Sequence, residues 1–249
     1  MVFSKKERLD KVLVERGLVL SRSQALNYVK LGVVLVNDRV ATKAGLMIGE
    51  ADRVGVKIDN QYVSRAGLKL ASIAKRFKLN FQGKSVLDVG SSTGGFTDYA
   101  LQHGAKKVWA VDVGTNQLHP LLRQNERVVV CEKTDIRDFT LPANDLPDVI
   151  VIDVSFISLH KILPHLVHHL SKKSAQNPTL TVAMVKPQFE TEAKNLNKGV
   201  VKNNKIRRQI FVDFELWVKQ FFVIIDKQDS AVAGEKGNLE RFYLLKTKH

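Results

Sequence analysis

Two sets of residues in this chain could do chemistry: small ones gathered in a turn, and charged ones standing at the ends of apolar runs. The turn is Asp88-Val89-Gly90-Ser91-Ser92-Thr93-Gly94-Gly95-Phe96-Thr97-Asp98, between a strand pattern and a helix pattern. A dinucleotide loop spaces its glycines as G-x-G-x-x-G. Here the spacing is G-x-x-x-G-G, with Ser92 at the second glycine position. That disfavours a pyrophosphate cradle. Small residues still let the backbone approach a ligand, which suits a nucleoside carrying an amino acid. Asp112 ends the next strand, 22 residues after Gly90, where an acid accepts hydrogen bonds from ribose hydroxyls. Asp135 follows the third strand at the height of an adenine contact. The predicted ligand is S-adenosylmethionine, contacted by Asp88, Gly90, Ser91, Ser92, Gly94, Gly95, Phe96, Asp112 and Asp135, and the implied chemistry is methyl transfer.

The charged set decides which atom would be methylated. Adenine amino methylation calls for Asp or Asn, two prolines and an aromatic after the fourth strand, but this position reads Asp153-Val154-Ser155-Phe156. Attack through a cytosine carbon needs a thiolate, and the single cysteine, Cys131, falls in a strand expected to be buried. Lys69, Asp153, Lys186 and Glu240 remain, with Glu235 competing for the last place. Asp153 and Lys186 end apolar strands at the carboxyl edge of the sheet, where a charge has no packing reason to be. Two lysines and two acids suit transfer to a ribose hydroxyl, which needs a base. A lysine serves as base once its pKa falls from about 10.4 towards neutrality, through burial or a nearby cation. Lys186 is read as the base, Lys69 as the neighbouring cation, Asp153 as the group orienting the base, and Glu240 as a ribose-positioning or charge-balancing acid.

These residues must be held by a fold. The 249 residues, 44% hydrophobic and 26% charged, allow one or two domains with a sizeable core. One cysteine excludes an internal disulfide and a multi-thiolate metal site, and no metal is expected. Neither a secretory signal nor a membrane-length apolar run is present, so a cytoplasmic protein is expected. From Arg65 onward strand and helix patterns alternate: a helix over 65–77, then strands at 85–89, 107–111, 128–131, 149–154 and 180–185. Two further strands, 222–226 and 241–245, close the chain. That order predicts an α/β domain over 65–249 built on a mostly parallel seven-stranded sheet. Residues 60–64 lack an apolar period and read as a linker.

Residues 1–59 read as a small α+β unit. Leu9, Val12 and Leu13 form a stripe ended by Gly17, and a capping box of Ser21 and Gln24 opens a second helix ended by Gly32. Strands follow at 33–36, 39–41 and 54–58, the first two flanking the turn pair Asn37-Asp38. The chain carries 39 Lys plus Arg against 25 Asp plus Glu, a net charge of +14, which points to a polyanion partner. The unit resembles the alpha-L RNA-binding motif named after a small-subunit ribosomal protein. The likeness rests on Arg8-Leu9-Asp10, Ser21-Arg22-Ser23-Gln24-Ala25, and Lys30-Leu31-Gly32 leading to Val36-Asn37-Asp38-Arg39-Val40 and Lys43. It implies RNA contacts by Arg8, Arg22, Lys30, Arg39 and Lys43. Arg65 joins them at the start of the larger domain.

Over about Lys6 to Leu245 the chain resembles the hemolysin A-like (TlyA) family of ribosomal RNA 2′-O-methyltransferases, whose catalytic domain is FtsJ-like and Rossmann-like. The motifs are Tyr62 to Leu70, Asp88 to Asp98, Val111-Asp112-Val113-Gly114, Asp153 to Leu159, Val185-Lys186-Pro187-Gln188-Phe189-Glu190 and Lys198-Gly199-Val200-Val201. The family tetrad falls on Lys69, Asp153, Lys186 and Glu240. The resemblance implies methylation of cytidine ribose in ribosomal RNA, with ribosomal subunits as partners and the large subunit as the leaning. It leaves the oligomeric state open. Two departures stand out: Asp135 where the family usually has asparagine, and Thr115-Asn116 in place of tyrosine-glycine. The alternatives are a non-catalytic RNA-binding assembly factor, which the intact loop and tetrad argue against, and a membrane-active hemolysin, for which no apolar segment speaks. A pseudouridine synthase would have no use for the glycine loop.

Overall fold

Apolar stripes at helical spacing organise the start of the chain. In a computed structural model, the described residues are 6–19, 22–56, 62–140, 145–170, 178–231, 234 and 237–248. The first unit contains β1 (Glu7–Arg8), α1 (Leu9–Glu15), α2 (Arg22–Leu31), β2 (Val34–Val36), β3 (Arg39–Val40), β4 (Met47–Ile48) and β5 (Val54–Val56). Leu9, Val12 and Leu13 are buried with Ala25, Tyr28 and Val29 of α2. Gly17 and Gly32 follow the two helices with φ of 67° and 71°, the left-handed geometry that glycine adopts without penalty. Ser21 of the expected capping box lies outside the described residues, as does the side chain of Gln24. Asn37 and Asp38 both take positive φ, as a two-residue hairpin turn requires. β2 pairs with β3 and with β5. The strands come out shorter than expected: β2 begins at Val34, β3 ends at Val40, and beyond Val56 the reading falls on undescribed residues. The pairing of β1 with β4 was not foreseen, because two-residue strands carry no period.

The larger unit follows as α3 (Arg65–Ala74), β6 (Ser85–Val89), α4 (Gly95–Gln102), β7 (Lys107–Val111), α5 (Pro120–Arg123), β8 (Val128–Cys131), β9 (Val149–Ile152), α6 (Leu163–Leu170), β10 (Leu180–Val185), α7 (Asn204–Val218), β11 (Phe222–Asp229) and β12 (Arg241–Thr247). The seven strands form one sheet in the order β11-β12-β10-β9-β6-β7-β8. Five are parallel, and β12 and β11 add antiparallel at one edge. One core packs Leu70, Ile73, Phe77 and Phe96 against one face of the sheet. A second packs Leu163, Leu166, Phe211 and Phe214 against the other. Both faces are therefore covered, and central strands such as β6 and β9 are apolar on both sides.

Some expectations shift. α3 stops at Ala74, three residues early, and Lys78 turns left-handed at φ 49°, while Phe77 still reaches the core. β9 ends at Ile152, leaving Asp153 and Val154 in the following loop; β11 and β12 run on to Asp229 and Thr247. Cys131 was expected to be buried. It is half-buried, because β8 is an edge strand paired only with β7. Within the segment read as a linker, Tyr62 and Ser64 are buried, Tyr62 packs against Tyr99, and the Val63 amide donates to Asp98 at 2.7 Å.

The strand order reverses between β6 and β9, which leave the sheet side by side at their carboxyl ends. There the Asp153 amide donates to the Val89 carbonyl at 3.0 Å. Gly90 has φ of 80°, and a Cβ on it would lie 2.8 Å from the Asp153 carbonyl oxygen. Glycine is required here by backbone geometry and by the closeness of the neighbouring strand end. Such a reversal is where ligands bind in open α/β sheets.

Candidate active site

The carboxyl ends of β6, β7, β9 and β10 open into one cavity of about 610 Å³, within the range of roughly 300–1,000 Å³ usual for small-molecule sites. Lys69, Asp153, Lys186 and Glu240 all line it, although they come from α3, the loops after β9 and β10, and the residue before β12. They stand as two ion pairs. Lys69 Nζ donates to Glu240 Oε2 at 2.5 Å, and Lys186 Nζ lies 2.6 Å from Asp153 Oδ1. Lys69 and Glu240 are 12% and 3% exposed, so Lys69 is no surface lysine of α3. Nor is Lys69 a bare cation beside Lys186, since Glu240 balances its charge. Glu235, the competing acid, lies outside the described residues.

Sequence reasoning missed Ser155, whose hydroxyl oxygen accepts from Lys186 Nζ at 2.8 Å. That bond and the ion pair with Asp153 hold the nitrogen on the cavity wall. Glu190, quoted only as part of a motif, is a clamp. It accepts from Ser158 Oγ at 2.5 Å and the Leu159 amide at 2.8 Å, with His160 Nδ1 at 3.0 Å, and so ties the loop carrying Asp153 to the one carrying Lys186. Asn238 likewise accepts from the Val201 amide and donates to the Gly199 carbonyl, joining the Lys198–Val201 motif to Glu240. Phe156 stands at the mouth, 88% exposed and with φ of 67°, its ring 5.3 Å from that of Phe189.

Of the residues read as cofactor contacts, Asp88, Gly90, Ser91, Ser92, Phe96, Asp112 and Asp135 line the cavity. Gly94 and Gly95 do not. Gly94, at φ 94°, lies against Leu118 and Leu122, and a Cβ on Gly95 would run into Ser64 and Ala66, so these two glycines serve helix packing. Ser92 takes the left-handed φ of 48° despite having a side chain. Asp112 Oδ2 accepts from the Ser92 amide at 2.8 Å and Oδ1 from the Gly114 amide at 2.7 Å. It thereby shapes the loop; Oδ1 also accepts from Gln117 Nε2 at 3.4 Å, while Oδ2 keeps a further lone pair for a ligand. Asp135 is gripped by Arg137 at 2.6 Å, and that hydrogen bonding holds its carboxyl down at about 2. Glu132, also missed, accepts amides from Asn116, Gln117 and Leu118 and an Arg123 hydrogen bond, fixing the loop beyond Asp112.

The residues fit a cationic, adenosine-sized ligand. Asp88 Oδ2 accepts from the amide and hydroxyl of Thr97, but Oδ1 is buried without a protein partner on the cavity wall. A buried acceptor left open is costly unless a ligand supplies its donor.

The RNA candidates are spread out. Arg39 and Lys43 are exposed on the first unit. Arg8 and Arg22 are both engaged with Asp10. The Lys30 side chain lies outside the described residues, and Arg65 lines the cavity.

A family model described as FtsJ-like methyltransferase matches residues 62–248, three quarters of the chain. The chain belongs to the FtsJ-like methyltransferase family. A model described as S4 domain matches residues 7–54 of the same chain. This FtsJ-like chain is 38% identical to a Brachyspira hyodysenteriae protein named hemolysin A, over 94% of this chain and 97% of that one. It is 34% identical to a Mycobacterium tuberculosis protein named 16S/23S rRNA (cytidine-2′-O)-methyltransferase TlyA, over 98% of this chain and 91% of that one. Among solved structures, one from Streptococcus thermophilus whose description names a hemolysin superposes with a TM-score of 0.72 at 37% identity, over 98% of this chain and 89% of that one. Among the described residues of the FtsJ-like chain, no helix is long and apolar enough to cross a membrane.

Within the FtsJ-like site, burial pushes the Asp88 carboxyl up to about 7, with the charges of Asp153 and Asp112 adding and the Thr97 hydrogen bonds opposing. A group poised there changes charge in the working range.

Proposed function

We propose that the chain transfers a methyl group from S-adenosylmethionine to a cytidine ribose 2′-oxygen in ribosomal RNA. The observation that carries this is the shared cavity. One wall is the glycine loop with Asp88 and Asp112, and the other holds the two lysine–acid pairs. Bound there, S-adenosylmethionine supplies an electrophilic methyl carbon. Asp88 faces its cationic end and Asp112 its ribose. Lys186, oriented by Asp153 and Ser155, acts as the neutral amine after giving one proton to solvent: Nζ takes the proton of the 2′-hydroxyl as the oxygen bonds to the methyl carbon and the sulfur keeps the electron pair of the methyl–sulfur bond. Lys69, held by Glu240, lies in the same pocket and positions the ribose. The relative named for both ribosomal RNAs, and a Campylobacter jejuni protein named 23S rRNA (cytidine-2′-O)-methyltransferase TlyA at 39% identity over 76% of this chain and 74% of that one, support this substrate class.

Residues 1–59 act as the RNA-binding unit, 60–64 as the connection and 65–249 as the catalytic domain, working in the cytoplasm on ribosomal subunits, with the large subunit as the favoured substrate. Arg8, Arg22, Arg39 and Lys43 contribute phosphate contacts and salt-dependent affinity. Transfer of labelled methyl to each unmodified subunit, followed by mapping of the product, tests the whole reading. A 2′-O-methylcytidine is expected, and a methyl group on a base would overturn it.

Asp88 adds a pH signature. Its carboxyl is raised, so it takes up a proton as pH falls through about 7 and loses its attraction for a cation. Cofactor affinity measured by calorimetry should therefore weaken from pH 8 to pH 6. Asp88→Asn should bind more weakly at pH 8 and lose that dependence. A wild-type affinity flat across this range would sink the placement of Asp88 at the cationic end.

A further inference from the structure

The charge of the first unit is not a scatter of solvated side chains, because one buried acid organises part of it. Asp10, in the first turn of α1, is 1% exposed. Arg8 reaches it from β1, donating Nε to Oδ1 and Nη2 to Oδ2, each at 3.1 Å. Arg22, the first residue of α2, donates Nη2 and Nε to Oδ2 at 2.8 and 3.3 Å. Three elements thus converge on one carboxylate. The Asp10 amide donates to the Ala44 carbonyl and the Leu9 amide to Leu46, which seats the start of α1 on the segment before β4. Gly45 in that segment leaves room for the Arg8 guanidinium, since a Cβ there would lie 3.1 Å from Nη1.

Each guanidinium has five N–H groups, and Asp10 takes two from each arginine. The Arg8 and Arg22 side chains remain 52% and 62% exposed. Two guanidiniums that share one carboxylate and keep N–H groups to spare suit the oxygens of a phosphodiester, which arginine binds in bidentate fashion. We infer that Asp10 is a positioning residue that locks Arg8 and Arg22 side by side as one phosphodiester site for the RNA backbone. This rests on the RNA-binding reading of the first unit. Long side chains already fixed lose less rotamer freedom on binding than free ones do.

The inference has an outcome opposite in sign to plain electrostatics. Removing an acid from a basic surface raises its charge by one, so unaided field effects predict tighter RNA binding for Asp10→Asn. Positioning predicts weaker binding. Full-length variants are titrated with unmodified large-subunit ribosomal RNA at about 50 to 200 mM salt, with cofactor affinity as a fold control. Arg8→Ala and Arg22→Ala are expected to weaken binding about ten-fold each. Asp10→Asn should do the same, and should add little in an Arg8→Ala, Arg22→Ala background. Arg8→Lys with Arg22→Lys leaves Asp10 and every charge in place but removes the forks, and should also weaken binding about ten-fold, which keeps the test independent of how Asp10→Asn folds. Unchanged or tighter binding by Asp10→Asn, or wild-type affinity in the double lysine variant, while the alanine variants weaken, overturns the positioning role alone. Wild-type affinity in the alanine variants overturns the RNA reading of these arginines as well.

Discussion

Lys186→Arg is expected to lower methyl transfer by about 10²- to 10⁴-fold, the usual contribution of a positioned general base. Cofactor and RNA should bind nearly as they do to the wild type. Arginine keeps the positive charge facing the substrate and can still donate to Asp153 and Ser155, which lie 2.6 and 2.8 Å from the lysine nitrogen. It cannot give up its proton inside a protein, so the variant removes only the ability to accept one. Single-turnover transfer from labelled cofactor to ribosomal RNA, beside calorimetric cofactor affinity, separates the two. Substantial turnover in Lys186→Arg would remove Lys186 as the base while leaving the cofactor cleft as described. Loss of cofactor affinity in the same variant would instead show that Lys186 shapes the cleft.

How far the sequence alone reaches is clearest from particular residues. The glycine loop, Asp112, Asp153 and Lys186 were legible because each follows an apolar strand. In a parallel sheet every such end lies on one edge, so local pattern and global position coincide. Lys69 was legible as a residue type that the chemistry calls for and through the family resemblance, but its place was not. Its helix stripe places it on a solvated face, and its partner Glu240 stands 171 residues away. No local period encodes that contact. Gly94 and Gly95 sit in the same turn as Gly90 and read alike, yet they face neighbouring helices and not the cavity. Glycine shows that close approach occurs without showing what approaches. Cys131 went astray because burial depends on strand order, which a run of apolar residues does not specify. Asp10 escaped notice because an acid in a first helical turn is ordinary, and only the structure brings Arg8 and Arg22 to it.

The largest stability effect should come from the second ion pair, and it also divides its structural role from its chemical one. Glu240→Leu leaves the Lys69 ammonium, 12% exposed, without its carboxylate. Breaking a buried pair from one side costs about 3–5 kcal/mol, because an uncompensated charge remains. Glu240 is 3% exposed, and a Cβ on Gly234 would lie 2.6 Å from its Oε1. Replacing both partners with apolar residues of similar volume, Lys69→Met with Glu240→Leu, should recover most of that loss, since neither charge is then stranded. Urea unfolding of the wild type, the single variant and the double variant reads this directly. Methyl transfer should not recover with stability, because the double variant lacks the cation and the acid that face the ribose. A stable and active double variant would reduce Lys69 and Glu240 to a structural pair and leave Lys186 and Asp153 to carry the reaction alone. A Glu240→Leu variant as stable as the wild type would show that the Lys69 ammonium finds water or another acid in the cavity once Glu240 is gone.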